Sequence, residues 1–229
     1  MTRNLRKQKK EAVVKLTPLY RNQWIKREPN TELGHRIVSA TVEEFAEKGM
    51  LGARVASITN RIGTADPAFY RYFVGLKQAV LFIMSEYYWA PLNLRLTHYQ
   101  KITNDPAQLF EAIVDALIFS AEDDPSRPWL AESKVFRIVV AQMRNPALLP
   151  ESLLDSEYLT FIAKLEEIIQ TGQGQGIFTK KLHPALIAQL LVSNLHGLLM
   201  LNTLDCQPII VSVDNIKTVA KTIVSFNQP

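Results

Sequence analysis

The stretch Phe69-Tyr70-Arg71-Tyr72-Phe73 sets a guanidinium and two phenols at three consecutive positions between phenylalanines. Such groups hydrogen-bond to phosphate oxygens and to base edges, and arginine can grip a guanine with two parallel bonds. Phe69 and Phe73 are four residues apart, share one side of a helix and form a buried pair, which leaves Tyr70 and Arg71 facing away. Tyr70 and Tyr72 are two apart and cannot both face inward. Lys77 opens the next helix, where a lysine opposes the helix dipole unless an anion docks on the free amides. Arg54 and Arg61 add cations on the preceding helix. The chemistry these residues offer is non-covalent recognition of a polyanion.

Catalytic and metal chemistry find no comparable support. His35, His98, His183 and His196 do not fall at ligand spacings, and no Cys or carboxylate cluster completes a site. His196 reads as a packed residue on an apolar helix. Glu166-Glu167 and Glu122-Asp123-Asp124 are adjacent acids without the separation an acid/base pair needs. Gly172, Gly174 and Gly176 lack the preceding strand of a phosphate loop and read as a helix cap and turn. Cys206 is the only cysteine, has no activating neighbour and reads as structural. The expectation is a protein without enzymatic activity, metal or cofactor.

The elements that carry the recognition residues are helical. Asn30 or Thr31, just after Pro29, caps a helix whose Ile37, Ala40, Thr41 and Phe45 share one face and which Gly49 stops. A short helix follows from about Arg54 to Arg61, and Gly63 ends it. Asp66 can cap the next helix, with Pro67 in its first turn. Two short helices joined by a glycine turn behind a longer one form a helix-turn-helix. Further helices are expected from Leu76, with a break or kink at Pro91, and at roughly 106–122, 128–144, 156–171, 184–204 and 212–226. The fold class is all-α. A basic extension is expected at 1–32, partly helical around Leu16 to Trp24, with a helix-turn-helix head at 33–80 and a helical body at 81–229.

The chain has 229 residues and a net charge of +4, but the charge is uneven. Residues 1–80 carry fifteen Lys and Arg against seven Asp and Glu, a net +8, and residues 81–229 are net −4. A basic front on a mildly acidic body suits a polyanion-binding segment attached to a body with another task. The single cysteine fits a reducing compartment, and a cytoplasmic location is expected. Leu186 to Leu204 is the most apolar stretch; interrupted by Gln189, Ser193, Asn194, His196 and Asn202, it reads as too broken for a membrane span, and no membrane is expected as a partner.

The run Ile37 to Gly49, with Ile58, Ile62-Gly63, Phe69-Tyr70-Arg71-Tyr72-Phe73 and Lys77-Gln78-Ala79-Val80-Leu81, resembles the head of TetR-family regulators over about residues 33–81. More loosely, Gly176-Ile177-Phe178, His183-Pro184 and His196-Gly197-Leu198-Leu199 resemble the family's carboxyl part. The chain departs from the family at its turn, where a capping serine is Ala65 and a phosphate-contacting threonine is Ala68; a threonine usual at the start of the second helix is missing around Ala53-Arg54.

The resemblance implies a homodimeric regulator, more often a repressor, released from a palindromic operator by a small-molecule effector, apolar in character. Phosphate contacts are expected from Arg54, Tyr70, Tyr72, Lys77 and the basic extension, and base reading from Asp66, Ala68, Phe69 or Arg71. Tyr88, Phe110, Phe119, Trp129 and Phe136 are candidate lining of a ligand chamber. Leu186, Leu190, Asn194, Gly197 and Leu198 fall on one side of a helix that would pair across a two-fold axis. The alternative implied by Ala65, Pro67 and Ala68 is a helical ligand-binding or protein-interaction module with weakened or lost operator binding.

Overall fold

The computed structural model describes residues 23–119, 127–143, 156–202 and 212–225. Along them run α1 (Glu32–Gly52), α2 (Val55–Arg61), α3 (Asp66–Tyr70), α4 (Leu76–Met84), a π-helical turn (Ser85–Trp89), α5 (Ala90–Ile102), α6 (Pro106–Phe119), α7 (Glu132–Met143), α8 (Ser156–Gly174), α9 (Pro184–Asn202) and α10 (Val213–Val224). Among the described residues the sole β feature is an isolated bridge between Ile25 and Phe73. Cys206 and Glu122-Asp123-Asp124 lie outside the described residues, as does most of the extension.

Thr31 caps α1: its Oγ1 accepts from the Gly34 amide at 3.2 Å. Ile37, Val38, Ala40, Thr41, Val42 and Phe45 bury one side of α1. The helix breaks at Gly49 and gives one more turn to Gly52. Gly63 adopts φ 67°, a left-handed conformation that side chains resist, and so turns the chain sharply from α2 toward α3. The cap of α3 differs from expectation. Ala65 is the N-cap residue, without a side-chain bond, and Asp66 is already in the first turn beside Pro67.

Pro91 does not end its helix. The chain passes through it as α5, and the disturbance appears one turn earlier as the π-helical Ser85–Trp89, where the Ala90 amide reaches back five residues to Ser85 O. Proline lacks an amide hydrogen and its ring crowds the carbonyl four residues before it, so a widened turn ahead of Pro91 relieves both. The expected helix start at Pro128 is also displaced. Arg127 to Leu130 form a turn, with the Leu130 amide on Arg127 O at 2.9 Å, and Arg127 pairs with the buried Glu132 at 3.2 Å where α7 begins.

The described residues group into two compact units, one within 1–90 and 123–159, the other within 91–122 and 160–229. In the first, α7 packs on α1, α4 and the π turn. Lys134 Nζ is ion-paired with Glu43, and the His35 and Trp129 rings stack with centroids 4.2 Å apart. In the second, α9 packs against α10 and α6. The glycine-rich segment is a helix cap, as the spacing suggested: the Ile177 amide donates to Gly172 O at 2.8 Å. A Cβ on Gly172 would lie 2.2 Å from the Phe178 ring, so only glycine lets that ring close over the helix end.

Pro184–Leu201 is long and apolar enough to cross a membrane by length and composition, contrary to the reading that it is too interrupted. In the fold it is two-faced. Ile187, Ala188, Leu191, Val192, Leu195, His196 and Leu199 are buried, while Leu186, Gln189, Leu190, Ser193, Asn194 and Leu201 are exposed.

Candidate nucleic-acid interface

The turn between α2 and α3 is held from inside. Thr59 is fully buried, and its Oγ1 donates to Asp66 Oδ1 at 2.7 Å. That bond ties α2 to the first turn of α3 where the side-chain cap is missing. Arg36 Nη2 donates to Ile62 O at 2.6 Å and fastens α1 to the same turn. The fully buried Phe69 packs on Phe73 with centroids 5.4 Å apart, and Phe73 on Phe82 at 5.6 Å.

A second internal anchor is Glu44, whose side chain is fully buried. It accepts from Lys48 Nζ at 2.9 Å, the Arg54 amide at 3.3 Å and Arg61 Nη2 at 3.4 Å. Burial alone would raise its carboxyl; the bonds from Lys48, Arg54 and Ser57 and the Lys48 charge outweigh this and hold it below the ordinary carboxylate value. Arg61 also bonds Glu47 at 2.7 Å, which raises the guanidinium further and lowers the Glu47 carboxyl. Arg61 thus joins α2 to α1.

These contacts sort the expected DNA-facing residues. Tyr70, at 43% exposure, and Arg71 face solvent together, as the buried phenylalanine pair requires. Asp66 is exposed as a residue while its carboxylate holds Thr59. Arg54 is exposed, with Nη1 folded onto Leu51 O and Ala53 O at 3.2 Å each. Lys77 is half-buried.

Three expectations are corrected. Phe69 is 0% exposed and Ala68 is buried, so neither side chain can reach a base. Tyr72 is 2% exposed, and its hydroxyl lies 2.7 Å from Thr31 Oγ1, so it ties α3 to the cap of α1 and does not reach phosphate. Thr59, the second role of Thr31 and the pair Trp24-Ile25 were missed by sequence reasoning. A buried apolar pair inside a basic stretch was the available signal for the last.

The aromatic residues expected to line a ligand chamber are divided between the two units. Tyr88 and Phe136 are buried neighbours in the first unit, with centroids 6.1 Å apart. Trp129 lines an open groove of about 570 Å³ in that unit with His35, Arg36, Ser39 and Glu43. Phe110 belongs to the second unit, where it packs on Phe178. The Phe119 side chain lies outside the described residues. The second unit has its own open cavity of about 580 Å³, lined by Leu94, Arg95, Thr97, His98, Tyr99 and Lys101 among others. The helix stripe fares differently. Leu186, Leu190 and Asn194 are exposed and Gly197 and Leu198 half-buried, all on the side of α9 turned from its core. Among the described residues no three His, Cys, Asp or Glu side chains gather as a metal site would.

A short two-helix turn presenting Tyr70 and Arg71 from a buried phenylalanine pair, followed by a helical body, defines the class of helix-turn-helix DNA-binding proteins. Residues 37–81 match the family described as bacterial regulatory proteins, tetR family. No curated protein sequence matches the chain. Among solved structures, it is similar to the transcriptional regulator FadR from Bacillus subtilis in complex with stearoyl-CoA, with a TM-score of 0.67 and 18% identity over 84% of this chain and 98% of that one. It is similar to the TetR-family regulator PfmR from Thermus thermophilus, with a TM-score of 0.63 and 17% identity over 84% and 100% of the two chains. It is also similar to AibR in complex with isovaleryl coenzyme A and operator DNA, with a TM-score of 0.61 and 14% identity over 82% and 95%. At these identities the likeness shows the fold: an all-α TetR architecture over most of the chain.

Proposed function

We propose that the protein is a homodimeric transcriptional repressor that leaves a palindromic operator when a small apolar molecule binds its body. The observation that carries the DNA-binding part is the outward placement of Tyr70 and Arg71 on a helix locked by the Thr59–Asp66 bond and the Phe69–Phe73 pair. Arg71 reads bases, and Tyr70, Arg54 and Lys77 meet phosphates. The homodimer is supported by the exposed leucines of α9, which a second copy of the same helix would cover. Such a regulator works in the cytoplasm, where the DNA is.

FadR and AibR are described with acyl-CoA ligands, so acyl thioesters are the first effectors to try on this chain. The cavity of the second unit, with Leu94 and Tyr99 beside Arg95, His98 and Lys101, offers apolar and cationic lining for such a molecule. A second reading, a ligand-binding module without an operator, is favoured by the uncapped Ala65 and the buried Ala68. The Thr59–Asp66 bond weighs against it, because it supplies the stiffness that the lost cap would have given.

The test is selection from a random-sequence duplex library by the full chain. Enrichment of a two-fold symmetric site with half-sites about 34–36 Å apart is expected. Arg71→Ala should weaken binding to the enriched duplex by roughly 5- to 150-fold and relax specificity at one position in each half-site. Absence of any enrichment at moderate salt would favour the second reading.

A further inference from the structure

Helix α1 presents Glu32, His35, Arg36, Ser39 and Glu43 on one side, at the three- and four-residue spacing that aligns a helix face. With Ile62 and Trp129 these residues line the open groove of about 570 Å³ in the first unit, a volume that suits a small molecule. Its wall is aromatic. His35 and Trp129 are half-buried and stack with ring planes 7° apart, and Tyr87 meets Trp129 edge-on at 5.8 Å. Ala40, also in the lining, is buried, and Ile62 is half-buried.

The polar groups of this groove are mostly donors with no protein partner. The His35 ring, the Ser39 hydroxyl and the Trp129 indole N–H make no hydrogen bond. Arg36 is exposed, gives Nη2 to Ile62 O and has no ion pair, so the rest of its guanidinium fork remains available. The acids are less available. Glu43 is ion-paired with Lys134, and Glu32 stands exposed to water, which screens its charge.

We infer that this groove is a binding site for a small planar aromatic carboxylate. The ring packs on the His35–Trp129 wall, where edge-on or offset contact is favourable. The carboxylate takes the Arg36 fork, whose planar geometry matches two carboxylate oxygens, and Ser39 lies one helical turn along the same face. A wholly apolar ligand would cover the half-buried donors and leave them unsatisfied. A cation would meet only the screened Glu32. The site goes beyond the effector cavity proposed for the second unit and uses none of its residues. It also bears on the turn before α3, because the guanidinium that grips the ligand is the one that fastens Ile62 O.

Calorimetric titration of the full chain with indole-3-acetate, indole and cyclohexanecarboxylate tests the site. Indole-3-acetate should bind with a Kd below about 1 mM, and indole, which lacks the carboxylate, and cyclohexanecarboxylate, which lacks the planar ring, should each bind more weakly by about tenfold or more. Arg36→Gln should erase the preference for indole-3-acetate over indole, and Trp129→Leu its preference over cyclohexanecarboxylate, with melting curves confirming that both variants fold. Glu32→Gln changes an exposed side chain only and should tighten indole-3-acetate about twofold by removing a like charge. No heat with indole-3-acetate, or binding that Arg36→Gln, Trp129→Leu and Glu32→Gln all leave unchanged, would overturn the site. Indole bound as well as its acid would overturn the carboxylate class. On the DNA-binding reading above, saturating indole-3-acetate should also weaken the enriched duplex several-fold in the full chain and leave Arg36→Gln unaffected; an unchanged duplex affinity would remove the link to the turn. A chain that binds indole-3-acetate but enriches no duplex would overturn the DNA-binding reading and keep the site.

Discussion

Thr59 and Asp66 show how a single hydrogen bond can stand in for a missing cap. The threonine is fully buried and its hydroxyl points at a carboxylate seven residues later, across the glycine turn. Thr59→Val keeps the shape and removes the donor, so the exposed Asp66 turns to water and the tie between α2 and α3 is lost. A loss of about 1–3 kcal/mol is expected, read as a fall in melting temperature of roughly 2–4 °C per kcal/mol. Asp66 was legible as a polar residue at a helix start. Its partner was not, because what brings Asp66 onto Thr59 is the sharp turn at Gly63, whose φ is 67°, and not local periodicity. The tyrosines teach the same lesson. Tyr70 and Tyr72 flank Arg71 symmetrically in sequence, yet α3 ends at Tyr70, and Tyr72 turns inward to Thr31, forty-one residues earlier.

At the scale of elements, α9 divides its work between two faces. Burial holds the His196 imidazole down to about 4 from its ordinary 6.5, so it is neutral in the folded chain at pH 7. The unfolded chain takes up a proton near 6.5, so this histidine's contribution to stability is intact above that pH and declines as pH falls toward 4. His196→Leu should flatten the decline, by about 1 kcal/mol between pH 6.5 and 5.5, in urea titrations of both proteins. The helices and their order were legible because periodicity, caps and glycines are local signals. The pairing of Ile25 with Phe73 was not, since its two partners lie forty-eight residues apart. The widened turn before Pro91 was half legible: the proline announced a disturbance but not that the helix would absorb it one turn earlier and continue.

At the scale of the whole molecule, the exposed face of α9 is the surface on which the proposed dimer rests. Leu190 is 36% exposed and Leu186 44% in the single chain, so Leu190→Glu should leave the fold and its melting intact. Light scattering should show the mass falling from a dimer to a monomer at micromolar concentration. This stripe was readable in the sequence because one helix carries all of it. How the aromatic residues divide was not legible: Tyr88, Trp129 and Phe136 belong to one compact unit and Phe110 to the other, a division made by distant contacts. That division has an optical consequence. The chain has three tryptophans, Trp24, Trp89 and Trp129, and all fall in the first unit. Intrinsic fluorescence therefore watches the DNA-facing unit alone, while circular dichroism sums the helices of both. Separate midpoints by the two signals would show that the units unfold independently. If the second unit holds the proposed effector, a change of emission on adding it would reveal, without a label, the energetic coupling that the proposed release from DNA requires.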